Sequence, residues 1–137
     1  MAWAILDTSV YIDHWEGRLQ GQALESLRKA FVIRHSAVVL SELRRGSRTR
    51  ETRRLVQGLF RFALAPWEPS AEDWWTAGRL IQRIGDTQGW NTAKRRDFQN
   101  DALIALTARG HGATVVTSDH SDFVLLSRDL GIRVLPV

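Results

Sequence analysis

Cysteine is absent from the 137 residues, so no disulfide framework, thiolate metal site or thiol nucleophile is available, which fits a reducing, cytoplasmic setting. Long apolar runs are missing too. Asp7 interrupts the first of them well short of signal-peptide or membrane-spanning length, and no basic segment precedes it, so neither export nor a membrane association is expected. The histidines, His14, His35, His111 and His120, show no ligand spacing, which points them to structural roles. No repeat, linker or low-complexity tract divides the chain, and an apolar content of 44% suffices for one core, so a single domain over 1–137 is expected. What the chain does have is positive charge. Lys and Arg total 19 against 15 acids, a formal charge of +4, which suits a polyanionic partner such as nucleic acid.

Short apolar runs at 2–6 (AWAIL), 31–35 (FVIRH) and 113–117 (ATVVT) read as strands covered on both faces, and 132–137 (IRVLPV) as a closing edge strand. Helical patterns occupy 20–30, 36–45, 49–61, 70–85 and 98–109, with Gly110 and Gly112 ending the last. Helix 70–85 puts Trp74, Ala77, Ile81 and Ile84 on one stripe, expected in the core. The stretch 85–97 (GDTQGWNTAKRRD) has two glycines, little periodicity and a basic cluster, and is expected to be a long exposed loop. The alternation of strands and helices predicts a three-layer α/β/α domain with a mainly parallel central sheet.

In such a sheet every strand's carboxyl end lies on one edge. Asp7 ends the first strand, Asp119 follows TVVTS, and Asp122 stands about one helical turn further on. Glu42 lies in the helix leaving FVIRH, and Asp101 is expected in the first turn of the helix leading to ATVVT. Taken singly, Asp7, Asp101 and Asp119 could each cap a helix, and Glu42 could pair with Arg45. Taken together they crowd one rim. Two carboxylates about 4 Å apart repel by about 4 kcal/mol at an effective dielectric near 20, so such a cluster requires a cation, protons or arginines. All-oxygen ligands favour Mg²⁺ or Mn²⁺ over zinc.

Three segments, ILDTSVYID, SELRRG and NDALIALTARGHGATVVTSDHSDF, resemble the PIN-domain ribonucleases, in particular the VapC-type toxins of toxin–antitoxin pairs. The resemblance implies a PIN-like fold and Mg²⁺- or Mn²⁺-dependent hydrolysis of RNA phosphodiester bonds, leaving a 5′-phosphate and a 3′-hydroxyl. It implies that Asp7, Glu42 and Asp101 are catalytic, metal-binding acids. The fourth is Asp119 or the acid of the DF pair, Asp122, with Asp119 preferred for its place directly after the strand. By the same resemblance Ser9 and Thr117 contact substrate or metal-bound water. A homodimer and a VapB-type antitoxin, whose tail covers the acidic groove, are the implied partners.

An acidic pocket needs positive surroundings to hold RNA. The run LRRGSRTRETRR after Glu42, and Lys94, Arg95 and Arg96 before Asp101, are the candidate phosphate-binding residues, with Trp90 available for base stacking. The competing reading is a non-catalytic basic nucleic-acid-binding domain whose acids only cap helices. Phosphoryl transfer on Asp7 is disfavoured, because no lysine follows a late strand to hold the phosphoryl group.

Overall fold

The structure, a computed structural model, describes residues 1–62 and 64–137. Four parallel strands form the sheet, β1 (Trp3–Leu6), β2 (Val32–Arg34), β3 (Thr114–Thr117) and β4 (Val134–Pro136), in the order β2-β1-β3-β4. The central pair explains its own sequence. Ala4, Ile5, Val115 and Val116 are fully buried, because helices cover both faces, and only side chains without polar atoms can sit there without an unpaired group. Pro136 is tolerated because β4 is an edge strand, where a missing N–H costs no ladder bond.

From β1 the chain passes through α1 (Thr8–Trp15) and α2 (Ala23–Ala30) to β2 on one side. It then crosses through α3 (Ala37–Gly46), α4 (Arg50–Phe62), α5 (Ala71–Gln88) and α6 (Thr92–His111) to β3 on the other side of β1, and through α7 (Ser121–Leu130) to β4. Because the chain moves from β1 to β2 on one side and then back past β1 to β3 and β4 on the other, right-handed crossovers put α1 and α2 on one face and α6 and α7 on the other. The connections that leave the neighbouring strands β1 and β3 therefore go to opposite faces, which leaves a crevice between their carboxyl ends.

The strands occur where the sequence predicts them, and so do α2, α3, α4 and most of α5. The expected loop over 85–97 does not exist. Helix α5 runs on to Gln88, Gly89 turns the chain with φ 69°, and Asn91 caps α6, its Oδ1 accepting the Lys94 N–H at 2.9 Å. Periodicity fails there for a physical reason. The first turns of α6 are mostly exposed and charged, whereas Ala102 to Ala108 are buried on every side, so neither half shows a stripe. Helix α6 is the central helix, touching α3, α5, α7, β1 and β3. Helices α1 and α7 complete the set. Of the expected α5 stripe, Ala77 and Ile84 are buried and Ile81 is partly so, but Trp74 is 51% exposed; Leu80 continues the buried line instead.

If α6 starts where the cap places it, Asn91→Ala costs about 1 kcal/mol and Asn91→Gly only a few tenths, measured by denaturant unfolding. A neutral Asn91→Ala would return the segment to a loop.

Candidate active site

Asp7 is the first residue past β1, at the crevice, and only 6% exposed. It occupies the N-cap position of α1 yet its side chain makes no capping bond. Its Oδ2 instead accepts the Ser9 hydroxyl at 2.9 Å and faces Thr117 Oγ1 at 3.0 Å. Thr117 is fully buried at the end of β3, so the two strands that border the crevice are joined through this carboxylate. Ser9 Oγ also accepts the Ser118 N–H at 3.1 Å. Thr117 has one hydroxyl proton, for which the Asp119 carbonyl at 3.0 Å competes with Asp7. Burial raises the Asp7 pKa, and the hydroxyls of Ser9 and Thr117 and the N–H groups of Thr8 and Ser9 work against that rise.

Glu42 reaches the same place from α3. Its Oε1 accepts the Thr8 hydroxyl at 2.9 Å, so its direct partner is on α1 rather than Arg45, one turn along its own helix. Burial first, then the charge of Asp7, raise its pKa, against the Thr8 and Asn100 side chains and Arg45.

Asp101 stands in the middle of α6, not in its first turn, because that helix begins at Thr92. A capping role is therefore closed to it. Burial pushes its carboxyl up to about 8, helped by the charges of Asp7, Asp122 and Glu42 and opposed by Lys94. Asp122, in the first turn of α7, pairs with Lys94 Nζ at 2.7 Å. The crevice thus gathers Asp7, Glu42 and Asp122 within electrostatic reach of Asp101.

Other predicted residues stand apart. Asp119 is exposed, with its Oδ1 3.5 Å from Ser121 Oγ, so Asp122 is the better placed of the two late acids. Arg95 is drawn away from the rim: its Nη1 bonds Asp86 at 2.9 Å and its Nε donates to the Trp90 carbonyl at 3.0 Å, tying α6 to α5. Arg96 is exposed and forms no ion pair among the described residues. Trp90 is partly buried against the core, its ring meeting Phe98 edge-on at 4.8 Å, so it is not an open stacking face. His111 lies flat on Trp67 at 3.8 Å and His35 stacks near Tyr11, in keeping with structural roles.

Sequence reasoning missed Thr8 and Asn100 as partners of Glu42, and the Lys94–Asp122 pair. One signal was present: Lys94 and Asp101 are two helical turns apart and share a face once α6 is known to include both. Nothing local announces the hydroxyls, which meet acids far away in sequence.

Among the described residues no three acidic or histidine side chains converge as a ready-made ligand set. The donors are nonetheless all oxygen, with more negative charge than Lys94 balances. That chemistry fits a hard divalent ion, and Mg²⁺ in particular keeps several waters and needs only one or two direct carboxylates.

Fold and crevice together define an α/β protein with its acids at the switch point of a parallel sheet. The PIN domain family model matches residues 4–127, and the chain belongs to that family. Among solved structures it is similar to VapBC2 from Rickettsia felis bound to a promoter DNA fragment (TM-score 0.68, 23% identity, 98% of each chain covered). It is also similar to VapBC-1 from nontypeable Haemophilus influenzae (TM-score 0.70, 18% identity, 98% of this chain and 97% of that one). FitAcB from Neisseria gonorrhoeae is a further neighbour (TM-score 0.59, 21% identity, 96% of each chain). At these identities the likeness is one of fold. No curated protein gives a match. No helix among the described residues is long and apolar enough to cross a membrane.

The Asp101 shift has a consequence for stability. Its pKa is raised, so between its ordinary value and about 8 the folded protein keeps a proton that the unfolded chain has lost. Unfolding therefore becomes easier as pH rises through that window and levels off above it. Without divalent ions, the melting temperature should fall from weakly acidic pH to about 8, and Asp101→Asn should flatten that slope and melt higher at the alkaline end. An Asp101→Asn protein with the wild-type slope would contradict the burial of charge at this position.

Proposed function

We propose that the protein is a Mg²⁺- or Mn²⁺-dependent endoribonuclease, acting as the toxin of a VapBC-type pair. The observation that carries this reading is the half-buried acid crevice itself. Asp7 makes no capping bond although it stands at the N-cap position, and Asp101 is in mid-helix; both speak against the alternative of a binding domain whose acids merely cap helices. Membership of the PIN domain family and neighbours that are VapBC assemblies support the same reading.

In this reading Asp7, Glu42, Asp101 and Asp122 would hold the ion, directly or through its waters. Such an ion would supply a more acidic water and a positive charge for the phosphate under attack. The remaining work falls to the chain. Ser9 and Thr117 fix the Asp7 carboxylate so that it need not reorganise, and Thr8 does the same for Glu42. Asp101 releases the proton that burial keeps on it, so ion uptake is favoured as pH rises. Lys94 and Arg96, at the start of α6, draw phosphates to the rim. Arg95 is occupied elsewhere and is not part of this set.

A protein partner is also supported. Phe60 and Phe62 on α4 and Trp75 on α5 are 65%, 83% and 84% exposed, large apolar side chains left open to a protein partner. A groove of about 400 Å³, lined by Ile12, Trp15, Glu42, Leu43 and Arg48 among others, leads up to the acids and suits the tail of a VapB-type antitoxin. A homodimer belongs to the same reading.

Cleavage of a panel of structured RNAs in Mg²⁺ or Mn²⁺ tests the proposal. Asp7→Asn and Asp101→Asn should fall to the protein-free background; undiminished cleavage by either would refute it. Thr117→Val keeps the shape but removes the hydroxyl from Asp7, and should weaken Mn²⁺ binding by about 10–100-fold, the usual effect of losing a partner behind a ligand. Unchanged affinity would take Thr117 out of the site.

A further inference from the structure

Lys94 stands where an ion-binding crevice would least be expected to hold a cation. It lies in the first turn of α6, two turns before Asp101, and its Nζ is 2.7 Å from Asp122 Oδ2. The pair is not a loose surface contact: the side chains are 38% and 21% exposed, and the ammonium also acts on Asp101. A second contact holds the same group. Nζ lies 4.9 Å from the centre of the Trp90 ring, within cation–π range. That ring is itself held, its edge-on neighbour Phe98 being fully buried and its carbonyl accepting from Arg95.

The ammonium therefore has two supports of different kinds. One is an acid of the crevice; the other is an indole face that needs no acid. If Asp122 turns to another cation, Lys94 loses the first and keeps the second. The charge balance gives the exchange its direction. An ammonium on Asp122 neutralises one carboxylate of the crowded set, whereas a divalent ion in the same space would repel that ammonium and satisfy the same oxygen. The two cations are alternatives for Asp122.

We propose that Lys94 is a built-in counter-cation of the crevice, holding Asp122 while no divalent ion is bound and yielding it when one enters, with Trp90 as its shelf. This rests on the metal-dependent reading above. It makes Lys94 a positioning residue for Asp122 in the empty protein and frees its charge for a phosphate only in the loaded one.

The proposal predicts effects of opposite sign, which a merely structural lysine would not produce. Lys94→Gln should melt at a lower temperature than wild type in chelator near neutral pH, because the acids lose their counter-charge. The same variant should bind Mn²⁺ about tenfold more tightly in calorimetric titration without RNA, the competing cation being gone. Lys94→Arg, which keeps the charge, should stay close to wild type in both measurements. Equal or weaker Mn²⁺ binding by Lys94→Gln, or tightening by Lys94→Arg to the same extent, would overturn the proposal. Asp7→Asn is titrated alongside: if it binds Mn²⁺ as well as wild type does, the metal site itself is misplaced, whereas its loss of binding with no gain in Lys94→Gln condemns the role of Lys94 alone.

Discussion

Like charge forced into a shared, poorly solvated crevice is the constraint on which the rest of this structure depends. Burial makes ionisation harder at Asp7, Glu42 and Asp101 alike, and the charge of Asp7 adds to it at Glu42, as the charges of Asp7, Asp122 and Glu42 do at Asp101. A protein gains nothing in stability from such an arrangement; replacing these acids with neutral groups of the same shape would relieve it. The cost is met locally by Ser9, Thr117, Thr8, Asn100 and Lys94. That so many partners are spent on keeping the acids in place argues for a use of the charge rather than for an accident of capping.

The topology explains why the acids meet at all. Asp7 and Thr117 end neighbouring strands, Glu42 arrives on the helix that follows the edge strand, and Asp101 and Asp122 come from the two helices on the other face. Pairing β1 with β3 is what joins them, since it brings Asp7, at the start of the chain, against the consecutive elements α6, β3 and α7 near its end. The site is a property of strand order, which is why its members are scattered through the chain.

That origin also sets what could be read beforehand. Strands β1 and β3 were legible because burial on both faces leaves an unmistakable apolar run, and with them came Asp7, Asp119 and the shared edge. Helix α6 was half legible: its buried segment stood out, but its charged opening resembled a loop, and that error moved Asp101 to a cap position and Lys94 to the wrong neighbourhood. The choice between Asp119 and Asp122 turns on side-chain direction after a strand, which no pattern encodes; Asp119, two residues past β3, is exposed, whereas Asp122, in the first turn of α7, is partly buried against Lys94. Arg95 shows the same limit. In a run of three basic residues, successive helical positions face different ways, and this one finds Asp86 on α5.

The central claim is that these separated acids act as one receptor for a hard cation, and crystals grown with Mn²⁺ test it most directly through anomalous scattering. The expected map has a peak in the crevice at about 2.1 Å from an oxygen of Asp7, with Asp101, Glu42 or Asp122 completing the shell directly or through water. A crevice with no peak at saturating Mn²⁺, or one whose only manganese lies outside at Asp119, would contradict it.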